Sequence, residues 1–188
     1  MIGIYWNIRG IANSPTRITL KKFILISEPW IDFQSFPQNW FSRLGFKLLA
    51  MNYRNNLLPN IWCLCKVNIS PSILAISSQH VSFTLSENSK TFAFSAIYAL
   101  TNYITRRKLW TVLHQLQTQY NLPWCFIGDF NIILGAHEHR VRYPPARTPI
   151  KDFGEWTDQN NLLHLPTRGS QFTRANGRGG SRFTGKKA

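Results

Sequence analysis

Acidic residues are scarce in this chain. It carries 8 Asp and Glu against 22 Lys and Arg, a formal net charge of +14 and a pI near 10.3. So few carboxylates cannot neutralise the basic side chains. The imbalance therefore predicts attraction to polyanions, nucleic acid first and acidic membrane surfaces second. Cysteine is scarce as well: 3 in 188 residues exclude a disulfide scaffold and suggest a reducing compartment. Long apolar runs are missing. The longest, Phe92–Leu100, contains Ser95 and falls far short of the roughly 20 residues that cross a bilayer. Arg9 interrupts the N-terminus before any apolar stretch of signal-peptide length, so no secretory leader is expected.

What is present suits a folded domain. Hydrophobic residues make up 44% of the chain and aromatics 14%, which argues against disorder. A chain of this length can bury about 70% of its unfolded surface. Met1–Trp6 reads as a first strand ending at Asn7, Thr16–Lys22 as a short helix, and Phe23–Ile26 as a second strand closed by Ser27-Glu28-Pro29. Residues 32–60 mix aromatics with Asn and Pro breaks and are not resolved into elements. Ile61–Val67 alternates, with Ile61, Cys63, Cys65 and Val67 expected on one face. Ile73–Leu85 reads as one or two strands and Thr91–Tyr98 as another, after a turn at 87–90. Together these suggest an antiparallel meander of four or more strands. Leu109, Val112, Leu113 and Leu116 mark a helix over 106–120, with Arg106 and Arg107 expected on its surface. Trp124–Ile127 is a buried-type strand, Ile150–Asn160 a helix, and Gln171–Ala175 a short strand. Residues 1–176 are thus expected to form one domain, and 177–188 a frayed basic, Gly-rich tail.

With so few acids, each can be weighed. Glu28 and Asp129 both end apolar strands, and strands of one sheet can bring such ends together. Two converging carboxylates make a hard oxygen site suited to Mg²⁺. Asn7 also ends a strand, and Asn131 lies just past Asp129; amides can orient a phosphate oxygen or a water without adding negative charge. Asp and Asn also end strands for purely local reasons, because their side chains bond nearby backbone. Only the four residues taken together therefore point to a metal and phosphate site. His137-Glu138-His139 offers two histidines on one strand face but no further ligand at a suitable spacing, and reads as a loop. The three cysteines read as small buried hydrophobes.

The ordered series Tyr5-Trp6-Asn7-Ile8-Arg9-Gly10, Ile26-Ser27-Glu28-Pro29-Trp30, Ala96-Ile97-Tyr98-Ala99 and Ile127-Gly128-Asp129-Phe130-Asn131 resembles the endonuclease/exonuclease/phosphatase superfamily, with its DNase I-like fold. Two further segments, Arg106-Arg107-Lys108-Leu109-Trp110 and 165–173, are most similar to the endonuclease domain of plant LINE-type non-LTR retrotransposons. The resemblance covers roughly residues 1–180. It implies an α/β fold, a two-sheet β-sandwich flanked by helices with its C-terminal strands missing. It also implies hydrolysis of a DNA phosphodiester with Mg²⁺ or Mn²⁺.

On the matched positions, Glu28 would hold the metal with Asn7 beside it. Asp129 would align or deprotonate the attacking water, Asn131 would steady the phosphate and Asp129, and Tyr98 would donate its hydroxyl to the phosphate. Arg9, Arg106, Arg107, Arg140 and Arg142 would contact DNA, or RNA, through phosphates in a salt-sensitive, sequence-independent way. The implied partner is nucleic acid, with no membrane and no defined protein partner, and the implied location nuclear or nucleo-cytoplasmic.

The chain departs from the family in a short 7–28 segment, in Arg174 where the family strand usually carries Trp, and in having no Ser-Asp-His motif, whose His-Asp pair supports attack on the phosphate. Activity is accordingly expected to be weak or lost. The alternative is a catalytically inactive retroelement remnant that binds nucleic acid non-specifically. A phosphoesterase acting on lipid or inositol phosphates is a third possibility, against which the LINE-like segments argue.

Overall fold

A computed structural model of the 188-residue chain describes residues 3–7, 22–36, 38–133, 139–140, 146–164, 174–175 and 185–186. The expected helix over 16–22 and the His137-Glu138 pair lie outside these residues, apart from Lys22. The described chain forms two compact units, one of residues 1–98 and 122–129, the other of 99–121 and 130–188.

The first unit holds two four-stranded sheets. In one, β1 (Gly3–Asn7) runs parallel to β2 (Phe23–Ser27). A short helix α1 (Gln38–Arg43) leads into β3 (Phe46–Met51), and β4 (Ile61–Lys66) lies antiparallel between β2 and β3. In the other, β5 (Ser72–Ile76), β6 (His80–Glu87) and β7 (Lys90–Tyr98) form an antiparallel meander, and β8 (Trp124–Asp129) adds parallel to β7. Asn88 and Ser89, both with positive φ (49° and 61°), make the two-residue turn between β6 and β7. That is the type I′ geometry whose twist suits a hairpin.

The sheets pack face to face. Phe23, Leu25, Ile61 and Cys63 from one meet Val81, Phe83, Leu85, Phe94 and Ala96 from the other. Phe23 stacks at a tilt on Phe94 with ring centroids 4.9 Å apart. On the outer face of the first sheet Ile24, Ile26, Trp62 and Leu64 form a second core with Phe41 and Phe46, and Phe33 sits edge-on to Trp62 at 4.9 Å. Strands β2 and β4 are thus buried on both faces, which accounts for the near-continuous apolar composition of residues 23–26 and 61–65.

This corrects two expectations. The strand at 61–66 leaves the meander, because both its faces are apolar and the central place in the other sheet covers both. Val67 lies beyond its end and is exposed, while Trp62 and Leu64 are as buried as Ile61 and Cys63. Residues 32–60, left without elements by the sequence, contain α1 and β3.

In the second unit, α2 (Tyr103–Tyr120) begins three residues before the apolar spacing suggests. Its start is Asn102, whose side-chain oxygen accepts from the Ile104 and Thr105 amides at 3.0 and 3.2 Å; such a cap satisfies donors the first turn leaves open. Asn121 in the left-handed conformation (φ 39°) closes it. Helix α3 (Arg147–Gln159) places Phe153 and Trp156 against Trp110 of α2, with ring centroids 5.2 and 4.9 Å away. Three two-residue strands, β9 (His139–Arg140), β10 (Arg174–Ala175) and β11 (Gly185–Lys186), form an antiparallel sheet in the order β10-β11-β9. The expected tail therefore includes a paired strand at 185–186, and of the expected strand over 171–175 only 174–175 is described.

Candidate active site

Four strand ends meet at one edge of the first unit. Asn7 pairs with Ser27 at the C-terminal ends of parallel β1 and β2, and Tyr98 pairs with Asp129 at the C-terminal ends of parallel β7 and β8. Parallel pairing aligns the C-terminal ends of two strands, so residues distant in sequence come together at one rim. Glu28 follows Ser27 directly. Its φ of +52° breaks the alternation that sends Ile24 and Ile26 to the outer face. A left-handed backbone at a residue with a Cβ costs about 1 kcal/mol, and the Glu28 amide is held there by the Asn60 carbonyl at 2.9 Å.

Tyr98 packs on the core between the sheets and donates its hydroxyl to the Glu28 carboxylate. Asp129 is the register partner of Tyr98, which puts both side chains on one face of the sheet. Both carboxylates are buried, each 8% exposed.

Gly128 makes that register possible. Its φ is +155°, and a Cβ there would lie 1.9 Å from the Ile97 carbonyl oxygen. No residue other than glycine lets β8 come this close to β7 just before the aspartate.

The donors gathered at this rim are all oxygens. Among the described residues no three His, Cys, Asp or Glu side chains cluster as a metal cage. Mg²⁺ commonly takes only one or two carboxylates and completes its shell with water and phosphate. Glu28 and Asp129 fit that pattern.

The remaining candidates are placed differently. The Asn7 backbone ends β1 at the same rim. Asn131, in the second unit, is 9% exposed and takes a positive φ of 48°. Its amide nitrogen donates to the Ala99 carbonyl at 2.7 Å, so that group is engaged within its own unit.

Arg106, expected on the helix surface for DNA, is instead buried at 4% exposure. Its Nη1 donates to the carbonyls of Asn131 at 2.7 Å and Leu100 at 3.1 Å. The spacing 106, 109, 110, 113 places it on the apolar face of α2 with Leu109, Trp110 and Leu113, a signal present in the sequence. Arg107 is exposed and pairs in a fork with Asp152, at 2.6 and 3.1 Å. That carboxylate raises the Arg107 pKa further. For Arg140 only the backbone in β9 is described; Arg9 and Arg142 lie outside the described residues.

Cys63 and Cys65 are buried, and burial pushes the Cys63, Cys65 and Cys125 thiols up, away from the thiolate form. Among the described residues no helix is long and apolar enough to cross a membrane.

No family model matches the sequence, and no curated protein matches it. Solved structures do. The chain superposes on the endonuclease domain of TRAS1, a telomere-specific non-LTR retrotransposon, with a TM-score of 0.64 at 12% identity, over 88% of this chain and 69% of that one. A 3′-5′ exonuclease from Neisseria meningitidis gives 0.59 at 11%, over 82% and 69%. An AP endonuclease from Archaeoglobus fulgidus gives 0.55 at 9%, over 73% and 60%. This likeness establishes the DNase I-like α/β fold, with its two packed sheets. The chain spans between 60% and 69% of the length of these neighbours.

Proposed function

We propose that this chain is a divalent-metal-dependent phosphodiesterase of the endonuclease type, acting on DNA in the manner of a LINE-type retrotransposon endonuclease domain. One observation carries the reading: the Tyr98 hydroxyl bonds the Glu28 carboxylate while its strand partner is Asp129, so two buried acids share one rim of the sandwich. Support comes also from the net charge of +14, suited to a polyanionic substrate, and from neighbours described as an endonuclease domain, an exonuclease and an AP endonuclease.

In this reading Glu28 holds a Mg²⁺ or Mn²⁺ ion, with Asn7 at the adjacent strand end. Bound there, the metal would supply Lewis-acid stabilisation of the charge that builds on the phosphoryl oxygens. Tyr98 fixes the rotamer of the Glu28 carboxylate through its hydroxyl, a role in place of the direct phosphate contact the resemblance implies. Asp129 aligns the attacking water and takes its proton as the water oxygen bonds to phosphorus and one bridging P–O bond breaks, its electron pair leaving on the departing sugar oxygen, which takes a proton from solvent. A positioned general base contributes about 10²–10⁴-fold.

The test is plasmid nicking with Mg²⁺, with EDTA, and with the variant Asp129→Ala. Mg²⁺-dependent nicking that Asp129→Ala abolishes supports the reading. Nicking that is equal in wild type and Asp129→Ala discards it. DNA retention that falls steeply with salt and is never accompanied by turnover points instead to a non-catalytic nucleic-acid binder.

A further inference from the structure

We propose that Asn52 is a positioning residue for the Glu28–Tyr98 pair, a role that rests on the reading of that pair as the catalytic rim. Asn52 follows β3, hydrogen-bonds to Asn60, Ile61 and Ser78 and not to either acid, and is 2% exposed. All four hydrogen-bonding positions of its side-chain amide are filled. The oxygen accepts the Asn60 and Ile61 backbone amides, each at 2.9 Å. The nitrogen donates to the Asn60 side-chain oxygen at 2.7 Å and to the Ser78 carbonyl at 2.9 Å.

These partners lead to both members of the pair. The Asn60 carbonyl holds the Glu28 amide at 2.9 Å, in the left-handed conformation that turns the carboxylate away from the outer face. Ser78 precedes Gln79, whose carbonyl holds the Tyr98 amide at 2.9 Å. Ser78 belongs to the β5–β6 turn of one sheet, and Asn60 and Ile61 open β4 of the other. One side chain thus ties the backbone under Glu28 to the backbone under Tyr98, across the mouth of the sandwich. Glutamine in its place would be one methylene too long to keep all four bonds; aspartate keeps the acceptor oxygens and loses the donors. A group that orients a metal ligand from behind commonly changes metal affinity about 10–100-fold when removed.

Two variants and two readouts test this. Asn52→Asp retains acceptance from the Asn60 and Ile61 backbone amides but loses both donations, to the Asn60 side-chain oxygen and to the Ser78 carbonyl; Asn52→Ala cuts every tie. The first readout is amide hydrogen exchange in the full chain, with and without Mg²⁺. In wild type the Glu28, Asn60, Ile61 and Tyr98 amides should exchange through one common opening. Asn52→Asp should speed exchange at Tyr98 more than at Glu28, and Asn52→Ala should speed both about tenfold or more while Leu64 and Phe83 stay protected.

The second readout is the Mg²⁺ concentration for half-maximal plasmid nicking, expected to rise about tenfold or more in both variants. Separate openings of the four amides in wild type overturn the inference even if neither variant folds. So do unchanged exchange in the variants, or changed exchange with an unchanged Mg²⁺ midpoint. If wild type does not nick, the functional reading fails by itself, and the exchange pattern still decides whether Asn52 positions the pair.

Discussion

Tyr98 donates its hydroxyl to Glu28 across a separation of 70 residues in sequence, joining the last residue of one sheet's β7 to the first residue after the other sheet's β2. The contact depends on where each strand stops. Were β2 one residue longer, Glu28 would continue the alternation of Ile24 and Ile26 and face α1. Removing the phenol oxygen should therefore loosen the carboxylate without disturbing the core. Tyr98→Phe is expected to fold as wild type, lose about 1–3 kcal/mol at most, and nick DNA about tenfold or more slowly. Circular dichroism with a nicking assay checks both halves. Unchanged nicking would remove Tyr98 from the site.

Gly128→Ala is expected to be severe. A Cβ would lie 1.9 Å from the Ile97 carbonyl oxygen and 2.8 Å from the Ile97 nitrogen, both backbone atoms of β7. Neither can move without parting β7 from β8, so a loss above about 3 kcal/mol is expected, by cavity-free steric strain alone. Urea unfolding measures it. A midpoint near wild type would mean the two strands separate at little cost.

Arg106 and Arg107 are neighbours in sequence with opposite expected behaviour. Arg106→Ala leaves the Asn131 and Leu100 carbonyls without their buried donor and should cost about 3 kcal/mol. Arg107→Ala removes a fork to Asp152 on an exposed surface and should change stability little, within the small range usual for exposed ion pairs. Equal losses in thermal melts of the two variants would contradict the burial difference.

His80 supplies a pH dependence. It is buried at 1% exposure, its Nδ1 lies 3.1 Å from the Ser82 hydroxyl, and that hydroxyl lies 2.7 Å from the Ser95 hydroxyl. Burial lowers its pKa from 6.5 to about 4. The unfolded chain therefore binds a proton that the folded chain refuses between pH 6.5 and about 4. The stabilisation is complete above 6.5, falls as pH drops through that window, and is gone below it. The size is about 3 kcal/mol. Chemical denaturation from pH 7.5 to 4 should show this slope in wild type and a shallower one in His80→Gln. Parallel slopes would mean His80 does not titrate differently on folding.

Much of the site was legible in one dimension. Glu28 and Asp129 stand out because only 8 acids exist in the chain and both follow or end apolar strands within an ordered series of motifs. Helix α2 was legible from its apolar spacing and α3 from Phe153 and Trp156. The charge of Arg106 points to the helix surface, whereas its spacing from Leu109, Trp110 and Leu113 points to the buried face that it occupies. Asn52 and Asn60 gave no signal at all. An asparagine in a loop reads as a turn residue, and nothing local says that its amide reaches four partners in other segments.

Strand character, the apolar surplus, the positive charge and the order of the motifs belong to the sequence, since each depends on residue type and near-neighbour spacing. The sorting of β4 into the other sheet, the register of Tyr98 with Asp129, the turn of Glu28 out of the strand pattern and the burial of Arg106 do not. They arise from long-range pairing and from which apolar face finds a partner. Those contacts form between segments far apart along the chain, so their free energies are settled only when the two sheets close on each other.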